Sequence, residues 1–97
     1  MVIIAKKSVN EFIEIYPRAK GPLLRWYLLI KEGDWASFSE MRNSASGVDS
    51  VGNDLYVFNL GGNKYRLIAR IYFPVRTVFI RFIGTHKEYD QVNLSDL

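Results

Sequence analysis

The apolar positions of the chain change period once, near Val51, from a helical spacing before it to a two-residue alternation after it. Val2 to Ala5 is a short β-branched apolar run and reads as a buried strand. Ser8 with Glu11 has the form of a capping box, and Val9, Phe12, Ile13 and Tyr16 follow at helical spacing until Pro17 and Gly21 break it. Pro22 suits the first turn of a second helix, where its missing amide donor would be unpaired anyway. That helix carries Leu23, Trp26, Tyr27 and Ile30 on one stripe. Leu24, Leu28 and Leu29 widen the stripe so far that a partner, or burial on more than one side, is expected to cover it. Gly33 is a stop signal, Ser37 with Glu40 opens a third helix to about Asn43, and the small polar run Ser44–Ser50 reads as a loop.

Beyond the Gly52-Asn53-Asp54 turn lie three strand candidates, Leu55–Leu60, Lys64–Tyr72 and Thr77–Ile83. A two-residue Gly61-Gly62 hairpin loop would set Phe58 opposite Tyr65 and Val57 opposite Arg66. Phe73 opposite Arg76 would set Ala69 opposite Ile80 and Ile68 opposite Arg81. These registers sort the side chains. One face takes Tyr56, Phe58, Leu60, Tyr65, Leu67, Ala69, Ile71, Val78, Ile80 and Phe82, which the first two helices should cover. The other takes Val57, Asn59, Lys64, Ile68, Phe79 and a group of three arginines, Arg66, Arg70 and Arg81. A one-residue slip would bury arginines and is disfavoured. Thr85 with Glu88 forms a further capping box, opening a last short helix. His86 lies in its first turn, and Tyr89 and Asp90, three and four residues on, share its side.

Length and composition narrow the classes. A chain of 97 residues with 48% hydrophobic content is expected to fold as one domain, residues 1–97, around one modest core. The absence of cysteine removes disulfides, thiolate nucleophiles and cysteine-bound zinc. No apolar run approaches the roughly 20 residues of a membrane span, and the start lacks the layout of a signal peptide, so a cytoplasmic protein with no membrane partner is expected. The net charge of +3 is unevenly spread. From Leu55 to Lys87 there are Lys64, Arg66, Arg70, Arg76, Arg81 and Lys87 and no acid, a pattern that suits a polyanion or, equally, acidic groups on a protein partner.

The residue inventory excludes much chemistry. There is no phosphate-binding glycine loop, no serine elbow, no second histidine for zinc and no carboxylate cluster of the two-metal kind. An enzyme of this composition is expected to work without metal or cofactor. Cleavage of RNA by its own 2′-hydroxyl fits. It needs a base, an acid, and cations for the charge growing on phosphate. Histidine is the residue type with a reference pKa near 6.5, and His86 is the only one. Arginine forks match phosphate oxygens, and arginines alternating with Ile68 and Phe79 could also stack bases. Tyr89 could hydrogen-bond, stack, act as an acid or simply pack. Asp90 could orient His86 or only serve its helix. Asn63 is explained as well by turn structure as by substrate contact.

Two segments carry a family resemblance. Val57-Phe58-Asn59-Leu60-Gly61-Gly62-Asn63-Lys64-Tyr65-Arg66-Leu67 resembles the F-N-hydrophobic-G-G-N-x-x-R segment of HigB toxins, and Ile80-Arg81-Phe82-Ile83-Gly84-Thr85-His86-Lys87-Glu88-Tyr89-Asp90 resembles their I-R-x-x-x-T-H-x-x-Y-D end. Tyr16-Pro17, Trp26-Tyr27 and Asp34-Trp35 fit as well. The resemblance implies an α+β, RelE-like fold, with two N-terminal helices on one face of an antiparallel-rich sheet and a short C-terminal helix. It implies cleavage of messenger RNA on the ribosome, and neutralisation by a HigA-like helix-turn-helix antitoxin. The residues that match are Asn59, Asn63, Arg66, Arg81, His86, Tyr89 and Asp90; RelE-like toxins vary in their catalytic side chains, so the match locates a site better than it assigns roles. Combining both readings, the expected catalytic set is His86, Arg66, Arg81, Tyr89 and Asp90, with Asn59, Asn63, Lys64, Arg70 and Lys87 contacting RNA; Arg70 rests on the strand register alone. The competing readings are a non-catalytic module that blocks translation by binding RNA or the ribosome through the same face, and a protein that mainly binds its neighbour through the Leu23–Ile30 stripe.

Overall fold

A computed structural model describes the whole chain, Met1–Leu97. The elements are β1 (Val2–Ile4), α1 (Lys6–Ile15), a 3-10 turn at Pro17–Ala19, α2 (Lys20–Glu32), α3 (Phe38–Ser44), β2 (Val48–Gly52), β3 (Leu55–Leu60), β4 (Tyr65–Tyr72), β5 (Thr77–Thr85) and α4 (His86–Tyr89). The five strands form one sheet in the order β1-β5-β4-β3-β2. Every neighbouring pair is antiparallel except β1 with β5. This is the expected α+β architecture, with the helices of the first half gathered on one side of the sheet. No helix is long and apolar enough to cross a membrane.

Local chemistry explains most boundaries. Gly33 ends α2, its amide donating to the carbonyls of Leu29 and Ile30 (both 3.1 Å), and the Trp35 ring lies so close over its α-carbon that no larger residue fits without moving the ring. The Met1 ammonium donates to the carbonyls of Ile30, Lys31 and Gly33 at 3.3, 2.8 and 2.7 Å, satisfying acceptors that a helix end leaves unpaired. Ser37 caps α3, accepting from the Glu40 amide (3.3 Å), as its spacing predicts. The Ser8–Glu11 box does not form. Helix α1 starts earlier, with Ala5 at the N-cap; the Ser8 amide donates to the Ala5 carbonyl and Glu11 pairs instead with Lys7.

The main core lies between helices and sheet. Val9, Phe12, Leu23, Trp26, Ile30 and Met41 pack on Tyr56, Phe58, Leu67, Ala69, Ile71 and Val78. Fully burying aliphatic side chains of this size contributes about 1.5–3 kcal/mol each before entropy is subtracted.

Three further expectations are corrected. The Ser44–Ser50 loop contains most of strand β2, whose Val48 is buried while Asp49 to Gly52 are exposed. An edge strand with one buried residue has too little alternation to register as a strand. The β3–β4 loop has four residues, Gly61–Lys64, so that Leu60 faces Tyr65 and Asn59 faces Arg66, two positions away from the expected register. Because side chains alternate with period two, a slip of two leaves every face assignment intact. The last correction is larger. The β4–β5 ladder follows the expected pairing of Ala69 with Ile80 and then shifts, so that Ile68 faces Phe82 and Arg81 is left as an extra, bulged residue. Phe82 therefore turns away from the helices. It joins Leu55, Val57 and Ile68 in a second, smaller core that Tyr89, Val92, Leu94 and Leu97 close. The sheet face expected to be open and basic is roofed by the C-terminal segment.

Candidate functional site

The site is built where the β3–β4 turn meets the start of α4. Gly61, Gly62 and Asn63 all have left-handed backbones, with φ of 61°, 61° and 72°. Glycine adopts that conformation without penalty and asparagine tolerates it, which accounts for the Gly-Gly-Asn sequence. The turn aims two successive carbonyls at the site. The Asn63 oxygen accepts from Nη1 of Arg66 (3.1 Å), and the Lys64 oxygen accepts from the backbone amide of His86 (3.1 Å).

Helix α4 is fixed by a complete capping box. Thr85 Oγ1 accepts from the Glu88 amide (3.1 Å), and the Glu88 carboxylate accepts from the Thr85 amide (2.8 Å). Within this clamp His86 Nδ1 lies 3.3 Å from Oδ2 of Asp90, one helical turn on. Both side chains are more than half exposed, so the pair adds little to stability, of order 0.3–0.5 kcal/mol. Its consequence is orientation: the carboxylate holds the Nδ1 side and leaves Nε2 for another partner.

Arg66 is the electrostatic counterpart. It is only 9% exposed. Nη1 also donates to the Tyr65 carbonyl (3.3 Å), and the Tyr89 ring centroid lies 5.8 Å from Cζ, a cation–π contact. Across the strands Arg66 faces Gly84, and a side chain there would run into Phe82 and Glu88. Trp26 Nε1 is the one buried side-chain polar atom without a partner, so the guanidinium nitrogens of Arg66 that have no protein acceptor are those reaching the surface. His86 and Arg66 are thus both anchored on successive carbonyls of one turn, and the pair supplies the group types that move a proton and bind an oxyanion.

The structure brings together His86, Asp90, Tyr89 and Arg66, with Asn59 opposite Arg66 and Asn63 and Lys64 in the turn. Lys64 and Lys87 are exposed at its margin. Arg70 and Arg81 do not join the cluster. Arg70 lies four residues along β4 from Arg66, about 13 Å at strand rise. Its Nη1 donates to the Asn53 carbonyl and its Nη2 to the Leu97 carbonyl (2.7 Å), tying the C-terminal segment to the β2–β3 turn. The bulge moves Arg81 to the open edge of β5, where it lines a groove with Ser8, Glu11 and Ile15 of α1. Arg76 is tied to Asp34 (2.7 Å). Reading the sequence missed what positions the site: the carbonyls of Asn63 and Lys64, and Gly84 as the space beneath Arg66. Residues of the turn were visible as Gly-Gly-Asn, but the direction of their carbonyls was not.

The sequence model of the HigB toxins, described as a RelE-like toxic component of a toxin–antitoxin system, matches residues 19–92. The chain belongs to the HigB toxin family. Its relatives include the protein named mRNA interferase HigB of Escherichia coli O6:H1 strain CFT073, 36% identical over 94 residues, which span 95% of this chain and 91% of the relative. The mRNA interferase toxin HigB of Escherichia coli K12 is 32% identical over 92 residues, 93% of this chain and 88% of that protein. The HigB of Shigella flexneri matches to the same extent. The matched region of the HigB family takes in the turn, Arg66, the whole of β5 and α4, so the assembled cluster falls inside the part of the chain the family shares.

Proposed function

We propose that this HigB-family toxin is an endoribonuclease that cuts messenger RNA, on translating ribosomes in the cytoplasm, by attack of the RNA's own 2′-hydroxyl. The observation that carries the reading is that His86, paired with Asp90, and Arg66 are held by successive carbonyls of the one Asn63-Lys64 turn at the rim of the sheet. The relatives named as mRNA interferases support it. In this reaction the 2′-oxygen forms a bond to phosphorus and the bond from phosphorus to the 5′-oxygen breaks, leaving a 2′,3′-cyclic phosphate and a 5′-hydroxyl. A proton leaves the 2′-hydroxyl and another reaches the departing 5′-oxygen. His86 handles one of the two proton transfers at Nε2 and the Tyr89 hydroxyl the other, while the donors of Arg66 that have no protein acceptor hold the phosphate oxygens as charge builds. Tyr89 packs on the guanidinium and offers a face or hydroxyl to the neighbouring nucleotide. Asn59, Lys64 and Lys87 flank the strand of RNA, and Asn63 serves through the backbone carbonyl that holds Arg66. A HigA-like helix-turn-helix antitoxin restrains the activity.

The test is 5′-end mapping of cellular RNA after a brief induction pulse, beside a His86→Ala control. New ends and growth arrest with the parent chain, both lost with a folded His86→Ala protein, are expected; removal of a positioned acid–base group typically costs about 10²–10⁴-fold. Growth arrest with intact transcripts refutes cleavage and indicates a binding module. Full activity in folded His86→Ala and Arg66→Ala proteins refutes the site.

A further inference from the structure

Strand β1 covers only part of β5. It pairs Val2–Ile4 with Thr77–Phe79, while β5 continues to Thr85. From Arg81 onward β5 has β4 on one side and no strand on the other. With Ile80 also beyond the last β1 pair, this open length is six residues, Ile80–Thr85, about 20 Å at strand rise. Helix α1 runs beside the lane that β1 vacates. Its Ser8, Glu11, Phe12 and Ile15 face Ile80, Arg81, Phe82 and Ile83 across a groove of about 290 Å³. Ile15 stands at its mouth, 71% exposed.

We propose that this free edge of β5 is where the toxin's antitoxin lays down an extended segment, adding a strand to the sheet. The inference rests on the toxin reading above and adds the place and manner of restraint. Three observations choose the occupant. A free strand edge presents alternating backbone donors and acceptors, which an extended peptide satisfies and a nucleic acid does not. Five of the eight residues lining the groove are apolar, so the added strand offers apolar side chains at two-residue spacing to Ile15, Ile80 and Ile83, with polar groups for the rest. Charge opposes self-pairing centred on Arg81, which forms no ion pair within the chain and would there meet the Arg81 of the second copy. A segment with an acidic residue at that point is complementary. Such a strand covers Arg81 and runs toward Thr85, the cap that delivers His86, so occupation of the edge also closes the approach to the site.

The test uses the full chain and the antitoxin encoded with it. Backbone amide exchange across Arg81–Ile83 is measured for the free toxin, the toxin–antitoxin complex and the toxin with a non-cleavable RNA. Binding is titrated for the parent and for Ile15→Lys, a surface change outside the cleavage machinery. The expected result is at least tenfold slower exchange at the edge in the complex alone, and at least tenfold weaker antitoxin binding by Ile15→Lys, whose RNA cleavage equals the parent's. Unchanged edge exchange in the complex, unchanged affinity of Ile15→Lys, equal protection by RNA, or a dimer of the free toxin that protects the edge would each overturn the proposal. A toxin that binds its antitoxin through the edge yet cuts no RNA would sink only the proposed function.

Discussion

Replacing Asn63 separates a backbone role from a side-chain role in the site. Asn63 has φ of 72°, and its carbonyl holds Nη1 of Arg66 at 3.1 Å. Alanine in the left-handed region costs about 1–2 kcal/mol, whereas glycine adopts it freely. In Asn63→Ala the turn relaxes toward negative φ and the carbonyl leaves Arg66, which keeps only the longer contact to the Tyr65 oxygen (3.3 Å). If that strain is relieved at the expense of transition-state contacts, the loss is the same 1–2 kcal/mol, or about 5- to 30-fold in rate at 1.36 kcal/mol per tenfold. Single-turnover cleavage of messenger RNA on ribosomes by the purified protein reads this as a fall in the maximal rate with the half-saturating concentration little changed. Asn63→Gly should stay within about twofold of the parent, since it restores the φ without restoring the amide. A thermal melt checks that both variants fold. Equal loss in the glycine and alanine variants would refute the positioning argument and place the Asn63 side chain itself on the RNA.

Other outcomes follow from the same geometry. Thr85→Ala removes one half of the capping box and should cost about 1 kcal/mol, a fall of roughly 4–8 °C in Tm for a 97-residue chain, with reduced cleavage because α4 carries His86. Arg70→Met should lower stability by about 1 kcal/mol through its lost bonds to Asn53 and Leu97, while the salt dependence of RNA binding stays unchanged; a shallower salt slope would show that Arg70 contacts phosphate after all. Burial, and then the charge of Asp54, raise the pKa of Tyr56 above its ordinary 10.0. The unfolded chain therefore ionises this group first, so its contribution to stability is complete below pH 10 and is lost as pH rises through the higher folded value. Alkaline denaturation of Tyr56→Phe should lack that component.

The fold was legible wherever a strong period coincided with a strong stop. The stripe of α2 ending at Gly33, the apolar face of β4 and the Thr85–Glu88 box all sit where their sequences place them. The hairpin at Gly61-Gly62 was misread in length but not in face, because parity survives an even slip. The bulge at Arg81 was not legible. No glycine marks it, and the alternation Val78, Ile80, Phe82 looks unbroken although Phe82 belongs to the other core. Val92, Leu94 and Leu97 are three scattered apolar residues in a polar tail, too few to show a period, yet they decide that one sheet face is closed. In the site, His86, Tyr89 and Asp90 follow from helical spacing, and Arg66 from the strand. That Arg70 and Arg81 stand apart depends on the tail and the bulge, which are tertiary facts.

The single unmatched residue in β5 acts as a half-turn in the chain's delivery of everything after it. Upstream, Val78 points into the helical layer; downstream, Phe82 points into the opposite one, and α4 departs accordingly. Excision of one codon at this spot would restore strict alternation and leave Phe82 opposite Ile68, with the imidazole on its present side, whereas drawing Arg81 into the ladder would turn everything after it to the other face. Whether residue 81 bulges or enters the ladder, more than its chemical identity, sets which side of the molecule receives His86.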